Sequence, residues 1–349
     1  MKPLVVIDAD ALGRQRTGNE TYVREVLREL AGSAPDLRLA AITRHPELVP
    51  TGIEAIELPA RNQLVRMAVR LPLLLRKLRP RVVHFQHALP LGYSGPSAVT
   101  VHDVSFQDPE LMRLRDRVVF RAVPRSARRA SRVFVVSEGT KRDLVERCGI
   151  PAAKIVVTPN GVGQPFGPEG PHAYGRPYAL VVGSLEPRKD PVTAVESLAL
   201  LGRDEFRLVF AGPDRGDGAA TLEAATRHGL ERRVELKGHV SPEELAALYR
   251  GAACLVFPSR HEGFGLPLVE AMASGTPVVA TRAGALPEIA GDAAILVEPG
   301  NPVALAGGIE RALDDRDRLV AAGLERARAF TWAETASRTL AVYRELAEA

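Results

Sequence analysis

The sequence contains little cysteine, few aromatic residues and no long apolar run. Only two cysteines, Cys148 and Cys254, occur in 349 residues, which argues against a disulfide framework and fits a reducing cytoplasm. Aromatic residues make up 5% of the chain, so no stacking platform for bases is expected and a nucleic-acid partner is disfavoured. No stretch approaches the roughly 18 apolar residues of a membrane-spanning helix.

The first residues, MKPLVVIDADALG, contain an apolar run that is too short for a signal peptide. We therefore expect residues 4–9 to form a buried first strand. The expected location of the protein is the cytoplasm.

Positive charge is concentrated in the first half of the chain. Residues 1–167 hold 26 Lys+Arg and 16 Asp+Glu, so 26 − 16 = +10, and the remainder has 20 − 26 = −6. A basic half favours nucleic acid, anionic lipid or an anionic substrate as a partner. Two stretches, 61–81 and 112–132, mix arginine with aliphatic residues. They are interpreted either as helices that cover the sheet, with arginine stems along apolar surface, or as a face for anionic lipid.

Strand-like and helix-like segments alternate along the chain in two runs, separated by residues 163–177, which are crowded with glycine and proline. This alternation predicts parallel sheets built from right-handed βαβ units. The predicted fold class is therefore α/β, with two Rossmann-like, doubly wound domains that face a cleft. Residues 1–165 are predicted to form the first domain and 166–331 the second. Ligands are expected beyond the carboxyl ends of the strands.

The stretch GSLEPRKD (183–190) follows a predicted strand and places Arg188 and Lys189 just before a helix. Two adjacent cations there can neutralise a diphosphate, since arginine offers a planar fork and lysine a point charge. A solvated charged turn is the alternative interpretation.

The stretch HEGFGLPLVEAMASG (261–275) follows another predicted strand. Gly263 and Gly265 allow the backbone to approach a ligand closely. Pro267 is predicted at the first position of a helix whose free N–H groups form an anion site. Glu270 is predicted in the first helical turn, where the helix dipole favours a carboxylate. Glu262 lies in the loop outside the helix, where no such structural reason applies, and is a candidate binding residue.

Together these motifs resemble the donor site of the retaining family 4 glycosyltransferases of the GT-B fold. The resemblance rests on Glu-x7-Glu around Gly-Phe-Gly-Leu-Pro, on Arg-Lys after a Gly-Ser strand end, on GTPVVAT (275–281) and on GALPEI (284–289). It covers nearly the whole chain through VHDVSF (101–106), VVSEGTKRDL (135–144), KIVVTPNGV (154–162) and FTWAETASRTLAVYRE (330–345). It implies an acceptor-binding first domain, a donor-binding second domain and a C-terminal helix, about 332–349, that crosses back to the first.

The resemblance also implies roles for individual residues. The implied catalytic set is His102, Asp103, Arg188, Lys189 and Glu262: the two cations hold the donor pyrophosphate, Glu262 approaches the sugar hydroxyls, and His102 with Asp103 positions the sugar. Glu270 is implied to accept hydrogen bonds from the ribose. Residues 17–20 correspond to the glycine-rich loop of the family. Further donor contacts are implied for Gly18, Asn19, Ser184, Val240, Gly263, Phe264, Gly265 and Leu266.

The predicted activity is that of a retaining, metal-independent hexosyltransferase without a cofactor. It passes a sugar from a nucleotide-diphosphate sugar to a hydroxyl acceptor. TGNETY and HDVSF resemble mannosyltransferases, so GDP-mannose is the first expected donor and a UDP-sugar the next. The acceptor stays open among a glycolipid, a saccharide and a small molecule, as does peripheral contact with the inner membrane face. A 2-epimerase or hydrolase of the same fold and a non-catalytic sugar-binding module are the alternatives.

Two further patterns resemble metal sites. Asp8-Ala9-Asp10 matches the metal-binding Asp-x-Asp of the other major glycosyltransferase fold, but GT-B enzymes generally act without a bound metal. We therefore expect these acids to be structural or to face the acceptor. His84 and His87 have no cysteine or acidic partner nearby for a zinc site and are expected in the core or lining the cleft. Both cysteines are expected to be inert buried thiols.

Overall fold

The computed structural model describes residues 2–14, 17–60, 62–90, 92–108, 110–111, 120, 122–175 and 177–349. Its contacts divide the chain into two compact units. Unit 1 contains the described residues up to Val104, those from Phe120 to Asn160, and Trp332–Ala349. Unit 2 contains Gly161–Thr331 and the described residues of the segment that starts at Ser105. The sequence-based domain boundary, between residues 165 and 166, lies shortly after this division at Asn160.

Unit 1 is built on a parallel sheet of seven strands in the order β3-β2-β1-β4-β5-β6-β7. Its strands are β1 (Leu4–Asp8), β2 (Arg38–Thr43), β3 (Glu54–Glu57), β4 (Val82–Gln86), β5 (Ser97–Val101), β6 (Arg132–Val135) and β7 (Ile155–Val157). The central strands are rich in buried Val, Ala and Phe, because helices cover both faces of such a sheet. The edge strand β3 reads EAIE and is mostly exposed, so it has no apolar run by which the sequence could predict it.

The helices of unit 1 connect these strands. They are α1 (Thr17–Leu30), α2 (Gln63–Val65), α3 (Leu71–Leu78), α4 (Ala122–Arg129) and α5 (Glu138–Cys148). α5 shows how the sequence sets the ends of a helix. The side chain of Ser137 accepts the N–H of Thr140 at 2.9 Å, and Gly149 ends the helix in the left-handed conformation, as glycine does readily.

The helix predicted over residues 62–80 is present in three connected parts. α2 begins after Asn62, whose side chain accepts the N–H of Leu64 at 2.8 Å. A π-helical stretch covers Arg66–Arg70, and α3 continues to Leu78. The irregular stretch directly precedes Pro72, which has no N–H and clashes with the carbonyl four residues earlier in a regular helix. In the second basic stretch, 112–119 and 121 lie outside the described residues.

Unit 2 is built on a parallel sheet of six strands in the order β10-β9-β8-β11-β12-β13. Its strands are β8 (Tyr178–Val182), β9 (Arg207–Ala211), β10 (Val234–Gly238), β11 (Cys254–Phe257), β12 (Val278–Thr281) and β13 (Ile295–Val297). Its helices are α6 (Pro191–Leu200), α7 (Gly218–Arg227), α8 (Pro242–Gly251), α9 (Leu266–Ala273), α10 (Leu286–Ala290), α11 (Pro302–Asp314) and α12 (Arg316–Ala327). Leu208, Phe210 and Val256 are among the side chains of its buried apolar core.

The last helix, α13 (Trp332–Glu348), belongs to unit 1, which confirms the predicted return of the chain. Its Tyr343 is fully buried, and the hydroxyl lies 2.6 Å from Nδ1 of His84. His84 is therefore a core residue, as one of the two interpretations expected. At the surface, Arg344 of the same helix pairs with Asp36 at 2.8 Å.

Candidate active site

Glycines stand at the carboxyl ends of three neighbouring strands of unit 2. Gly183 follows β8, Gly212 follows β9 and Gly238 ends β10, all with positive φ. The approach is closest at Gly212, where a Cβ atom would lie 2.1 Å from the carbonyl oxygen of Gly183. Only glycine fits this conformation and distance. The ends of β8 and β9 therefore pack closely together at the edge where parallel sheets bind ligands.

Two cations share one carboxylate at this edge. Arg188 and Lys189 lie in a 3-10 turn, Pro187–Lys189, after β8. Lys189 Nζ donates to Glu262 Oε1 at 2.6 Å, and a guanidinium nitrogen of Arg188 lies 3.1 Å from the same oxygen. Arg188 also donates to Glu186 at 3.0 Å. The structure thus brings together the three residues that the sequence predicts as the pyrophosphate and sugar contacts.

The charges of these groups are coupled. Burial alone raises the pKa of Glu262, but the charges of Lys189 and then Arg188 more than offset it and hold the pKa below its ordinary value. Burial lowers the pKa of Lys189, and the charge of Glu262 opposes that shift. With Glu186 included, two carboxylates stand against two cations. An anion that binds the cations must therefore compete with carboxylates already in place.

The loop that carries Glu262 is held by the GALPEI segment. The N–H of Ala285 donates to the carbonyl of Glu262 at 2.9 Å. Gly284 has a φ of +56°, and a Cβ atom there would lie 2.2 Å from the same carbonyl oxygen. Gly265 likewise has a φ of +93°, and a Cβ atom would meet Leu286 at 2.6 Å. This close packing gives a physical reason for the two glycine-containing motifs to occur together.

Glu270 lies deeper in helix α9 than the sequence predicts. The helix begins at Leu266 after the left-handed Gly265 and has no acidic residue in its first turn. Pro267 is its second residue and Glu270 its fifth, so the first-turn dipole argument for Glu270 is wrong. The error arose because a proline signals a helix start only to within one or two positions.

A buried tyrosine provides the contact that the sequence did not reveal. Tyr249, on α8, is fully buried and its hydroxyl donates to Glu270 Oε2 at 2.9 Å. Burial raises the pKa of Glu270 to about 7, although the hydrogen bond from Tyr249 lowers it in part. The tyrosine comes 21 positions earlier in the chain, so no local motif links the two residues.

The remaining predicted donor residues of unit 2 lie around this edge. The side chain of Phe264 is buried, with its ring 5.5 Å from that of Phe330 in an edge-on contact. Only its backbone is therefore suited to a ligand contact. Ser184 and Gly263 are buried, Leu266 is half-buried, and Val240, the second residue after β10, is half-buried.

In unit 1 the strand ends carry histidines. His102 follows β5, with Nε2 3.3 Å from Oε1 of Gln86 and its ring 4.9 Å from Tyr22, edge-on. Burial lowers the pKa of His102 to about 3; nearby His87 lowers it further and the charge of Asp103 opposes the shift. His102 is therefore a neutral imidazole at physiological pH, able to donate one hydrogen bond and accept another.

His87, which the sequence placed in the core or lining the cleft without a role in donor binding, is a neighbour of His102. It follows β4, at the same sheet edge as His102, with the two rings 5.2 Å apart. Its Nε2 lies 2.8 Å from Nδ2 of Asn19. Its position directly after a predicted strand, which His102 shares, could have indicated that His87 lies at the same edge of the sheet. Gly18 and Asn19 form part of the first turn of α1, so residues 17–20, which the resemblance relates to the glycine-rich loop of the family, lie at the start of the first helix.

The two acids of the Asp8-Ala9-Asp10 sequence form ion pairs with arginines. Both are buried, and the fully buried Arg66 pairs with Asp8 at 2.5 Å and with Asp10 at 3.3 Å. Arg44 and Arg14 also pair with Asp10. The arrangement is the structural one of the two that the sequence left open, since the carboxylates satisfy a buried guanidinium.

The part of the chain that the structure describes has neither a metal-binding cluster nor a membrane-spanning helix. No cluster there brings together three or more His, Cys, Asp or Glu side chains as a metal site. Within the same residues, no helix combines the length and the apolar character needed to cross a bilayer. Cys148 and Cys254 are buried, as expected, and form no disulfide with each other; burial raises the pKa of Cys254 to about 12.

Comparison with known proteins agrees with this geometry. Residues 16–163 match the model of Glycosyltransferase Family 4, and residues 168–329 match that of Glycosyl transferases group 1. The fold and the site thus define a glycosyltransferase of the GT-B class. The chain belongs to glycosyltransferase family 4, as its motifs had indicated.

Individual relatives give the same family. The chain is 30% identical to O-antigen chain mannosyltransferase B of Escherichia coli over 72% of this chain and 70% of that protein. It is 36% identical to D-inositol 3-phosphate glycosyltransferase of Corynebacterium diphtheriae over 48% of this chain and 42% of that protein. It therefore spans less than half of the second relative. Sucrose-phosphate synthase of Thermosynechococcus elongatus has the same fold, with a TM-score of 0.81, 24% identity and 99% coverage of both chains.

Proposed function

We propose that this glycosyltransferase is a retaining, metal-independent hexosyltransferase that takes its sugar from a nucleotide-diphosphate donor. The observation that carries the proposal is the sharing of one oxygen of Glu262 by Lys189 and Arg188 at the strand ends of unit 2. Two fixed cations at the carboxyl ends of the strands are suited to a diphosphate.

The leaving group sets the first requirement of the reaction. Breaking the bond between the sugar C1 and the phosphate oxygen leaves negative charge on the diphosphate. Lys189 and Arg188 would stabilise that charge, together with the N-terminal N–H groups of α9, which begins after Gly265. Removing one such preorganised donor costs roughly 10²–10³-fold in rate in other enzymes. With two cations and a helix terminus in place, no bound metal is required by the proposal.

Glu262 and Glu270 take different parts in the proposed site. When the diphosphate replaces Glu262 on the cations, the carboxylate of Glu262 becomes available to the sugar hydroxyls. Glu270 accepts hydrogen bonds from the ribose, with Tyr249 occupying its other oxygen at 2.9 Å. On unit 1, Gly18 and Asn19 are proposed phosphate contacts, and His102 with Asp103 is proposed to position the sugar.

Retention is proposed to follow from attack on the same face as the leaving group. The bond from the acceptor oxygen to C1 forms as the C1–phosphate bond breaks, and the acceptor hydroxyl proton passes to the departing phosphate oxygen. A double displacement would need a carboxylate nucleophile about 5 Å from its acid partner. Glu262 is instead proposed to contact the sugar hydroxyls and not C1, which leaves the same-face route as the proposed one.

The donor and acceptor are proposed by class. GDP-mannose is the first donor, supported by the resemblance to mannosyltransferases and by the named activity of the Escherichia coli relative; a UDP-sugar is the second. The acceptor carries a hydroxyl on a glycolipid, a saccharide or a small molecule. The proposed location of the enzyme is the cytoplasm, with peripheral contact to an anionic membrane.

A donor screen with purified protein tests this function. Release of nucleoside diphosphate from GDP- and UDP-sugars is measured with and without EDTA, and the anomeric configuration of the product is read by NMR. We expect release from at least one donor, no effect of EDTA and retained configuration. Glu262→Ala should lose far more turnover than donor affinity. Absence of both turnover and nucleotide binding for every donor would remove the proposal.

A further inference from the structure

The helical segment over residues 63–78 of unit 1 has both buried and exposed apolar side chains. Its inner side contributes Leu71 and Leu75, both buried in the unit. Other large apolar side chains of the segment face solvent, with exposed fractions of 78% for Leu64, 50% for Val69 and 57% for Leu73. A helix in a soluble domain normally buries one apolar side and exposes a polar one.

These exposed side chains form a cluster rather than isolated positions. Nine large hydrophobic residues of the described chain are exposed, and four of them, Leu64, Val65, Val69 and Leu73, fall within ten positions. Val65, Val69 and Leu73 follow one another at intervals of four, so they lie on one side of the segment. Single exposed hydrophobic residues are ordinary, whereas a contiguous apolar patch indicates an interaction surface.

Unbalanced positive charge accompanies the apolar patch. No acidic residue occurs between Glu57 and Asp103, while seven basic residues do. The exposed ones are Arg70, Arg76, Lys77, Arg79 and Arg81. Where they bond within the described structure they reach carbonyl oxygens: Arg70 that of Pro59 and Arg81 that of Ala347. Because these partners are neutral, the positive charge of this side is not cancelled.

The combination selects one kind of partner. Nucleic acid would use the cations but not four exposed aliphatic side chains, and the chain is poor in aromatic residues on which bases could stack. A second copy of the chain, related by twofold symmetry, would place these cations against the same cations. An anionic lipid surface can bind both the aliphatic side chains and the cations. The aliphatic side chains enter the membrane interface, while Lys and Arg contact the anionic headgroups.

We propose that Leu64, Val65, Val69 and Leu73 form a membrane-docking face, flanked by Arg76 and Lys77, that binds bilayers containing anionic phospholipid. This inference deepens the proposed function and rests on it in one respect: docking brings a lipid-borne acceptor to the enzyme. Vesicle binding itself does not depend on transferase activity.

Vesicle co-sedimentation of the full chain tests the docking face. The wild type should sediment with phosphatidylcholine vesicles only when they contain phosphatidylglycerol. Leu64→Ser/Leu73→Ser should weaken binding by at least about tenfold, because two aliphatic side chains leave the interface. Arg76→Gln/Lys77→Gln should weaken it by about 30-fold at low salt and by less at high salt.

Matched controls come from unit 2. Leu200→Ser/Val303→Ser replaces side chains that are 54% and 69% exposed, and Arg318→Gln/Arg328→Gln removes two exposed arginines. Both controls should bind vesicles like the wild type. Equal binding by all variants, or loss of self-association instead of vesicle binding in the Leu64/Leu73 variant, overturns the inference. Nucleoside-diphosphate binding is measured on the same proteins, so that failure of the donor site is distinguished from failure of docking.

Discussion

Unit 1 and unit 2 wind their parallel sheets in the same strand order but place different chemistry at the strand ends. In unit 2, Arg188 and Lys189 are paired with Glu262. In unit 1, the corresponding edge carries His87 and His102, whose pKa values are lowered by burial. The shared fold therefore sets the position of a binding site, at the carboxyl ends of the strands, while the side chains there determine which chemical groups each unit can bind.

The two units also bury charge for different purposes. Asp8 and Asp10 of unit 1 neutralise the fully buried Arg66, whereas Glu262 of unit 2 neutralises cations that we propose to hold a diphosphate. The first arrangement should govern stability and the second activity. Four substitutions separate these roles.

The largest effect should come from Asp8→Asn. The substitution leaves the buried Arg66 with a weaker set of partners, and breaking a buried pair from one side costs about 3–5 kcal/mol. The free energy of unfolding, measured by denaturant titration, should fall by that amount. Asp36→Asn, which breaks the exposed pair with Arg344 in the same unit, is the control and should change it far less. If the free energy of unfolding fell equally in both variants, the buried ion pair between Arg66 and Asp8 would contribute no more to stability than the exposed pair.

Lys189→Ala should have the next largest effect, on activity rather than on folding. Turnover should fall by roughly 10²–10³-fold with a higher donor KM, because the diphosphate loses a cation in both the ground state and the transition state. Steady-state kinetics give both values. Lys237→Ala, in the same unit but paired with Glu235 and Glu244, should retain activity. If Lys189→Ala changed KM alone, the lysine would not act on the leaving group.

Glu262→Gln should separate turnover from affinity. The neutral amide does not compete with the diphosphate for Lys189 and Arg188, so donor KM should fall. If the ion pairs of Glu262 contribute about 1 kcal/mol, the fall should be about fivefold. The value of kcat should fall much further, because the proposed contact to the sugar weakens. A variant with wild-type kcat would exclude Glu262 from the reaction.

Tyr249→Phe should have the smallest effect, visible as a shift in pH dependence. With its pKa raised to about 7, Glu270 is protonated below that pH and ionised above it, so donor KM should fall as pH rises through about 7. The tyrosine hydrogen bond favours the ionised form, and its loss should move the midpoint upward by about one pH unit.

Tyr178→Phe is the matched control for that shift. Its buried hydroxyl donates to the carbonyl of Leu248 at 2.6 Å, so its loss removes a buried hydrogen bond without touching Glu270. An equal shift of the KM midpoint in both variants would assign the effect to general loosening of unit 2.

Much of this architecture follows from local patterns in the sequence. The apolar strands and the position of Arg188 and Lys189 after β8 could be predicted, because buried parallel strands are continuous apolar runs and ligands meet their carboxyl ends. The return of α13 to unit 1 was implied by the family resemblance. The exposed edge strand β3 could not be predicted, since EAIE has no such run.

The parts of the site that escaped prediction depend on contacts distant in sequence. Tyr249 on α8 forms a hydrogen bond with Glu270 on α9. His87 contacts Asn19, which lies 68 positions earlier in the chain. The start of α9 was misplaced by one residue, at Pro267 instead of Leu266, because glycine and proline mark a turn without fixing the first helical residue. The family resemblance selected the candidate residues, and the structure supplied the partners that set the charge of Glu262 and Glu270.

Nucleoside-diphosphate affinity tests the central claim most directly. GDP and UDP are titrated by calorimetry into the wild type, Glu262→Gln and Lys189→Ala. The account predicts that at least one nucleotide binds most tightly to Glu262→Gln, less tightly to the wild type and most weakly to Lys189→Ala. Equal affinities for all three proteins, or weaker binding by Glu262→Gln than by the wild type, would contradict the claim that Glu262 occupies the cations of a diphosphate site.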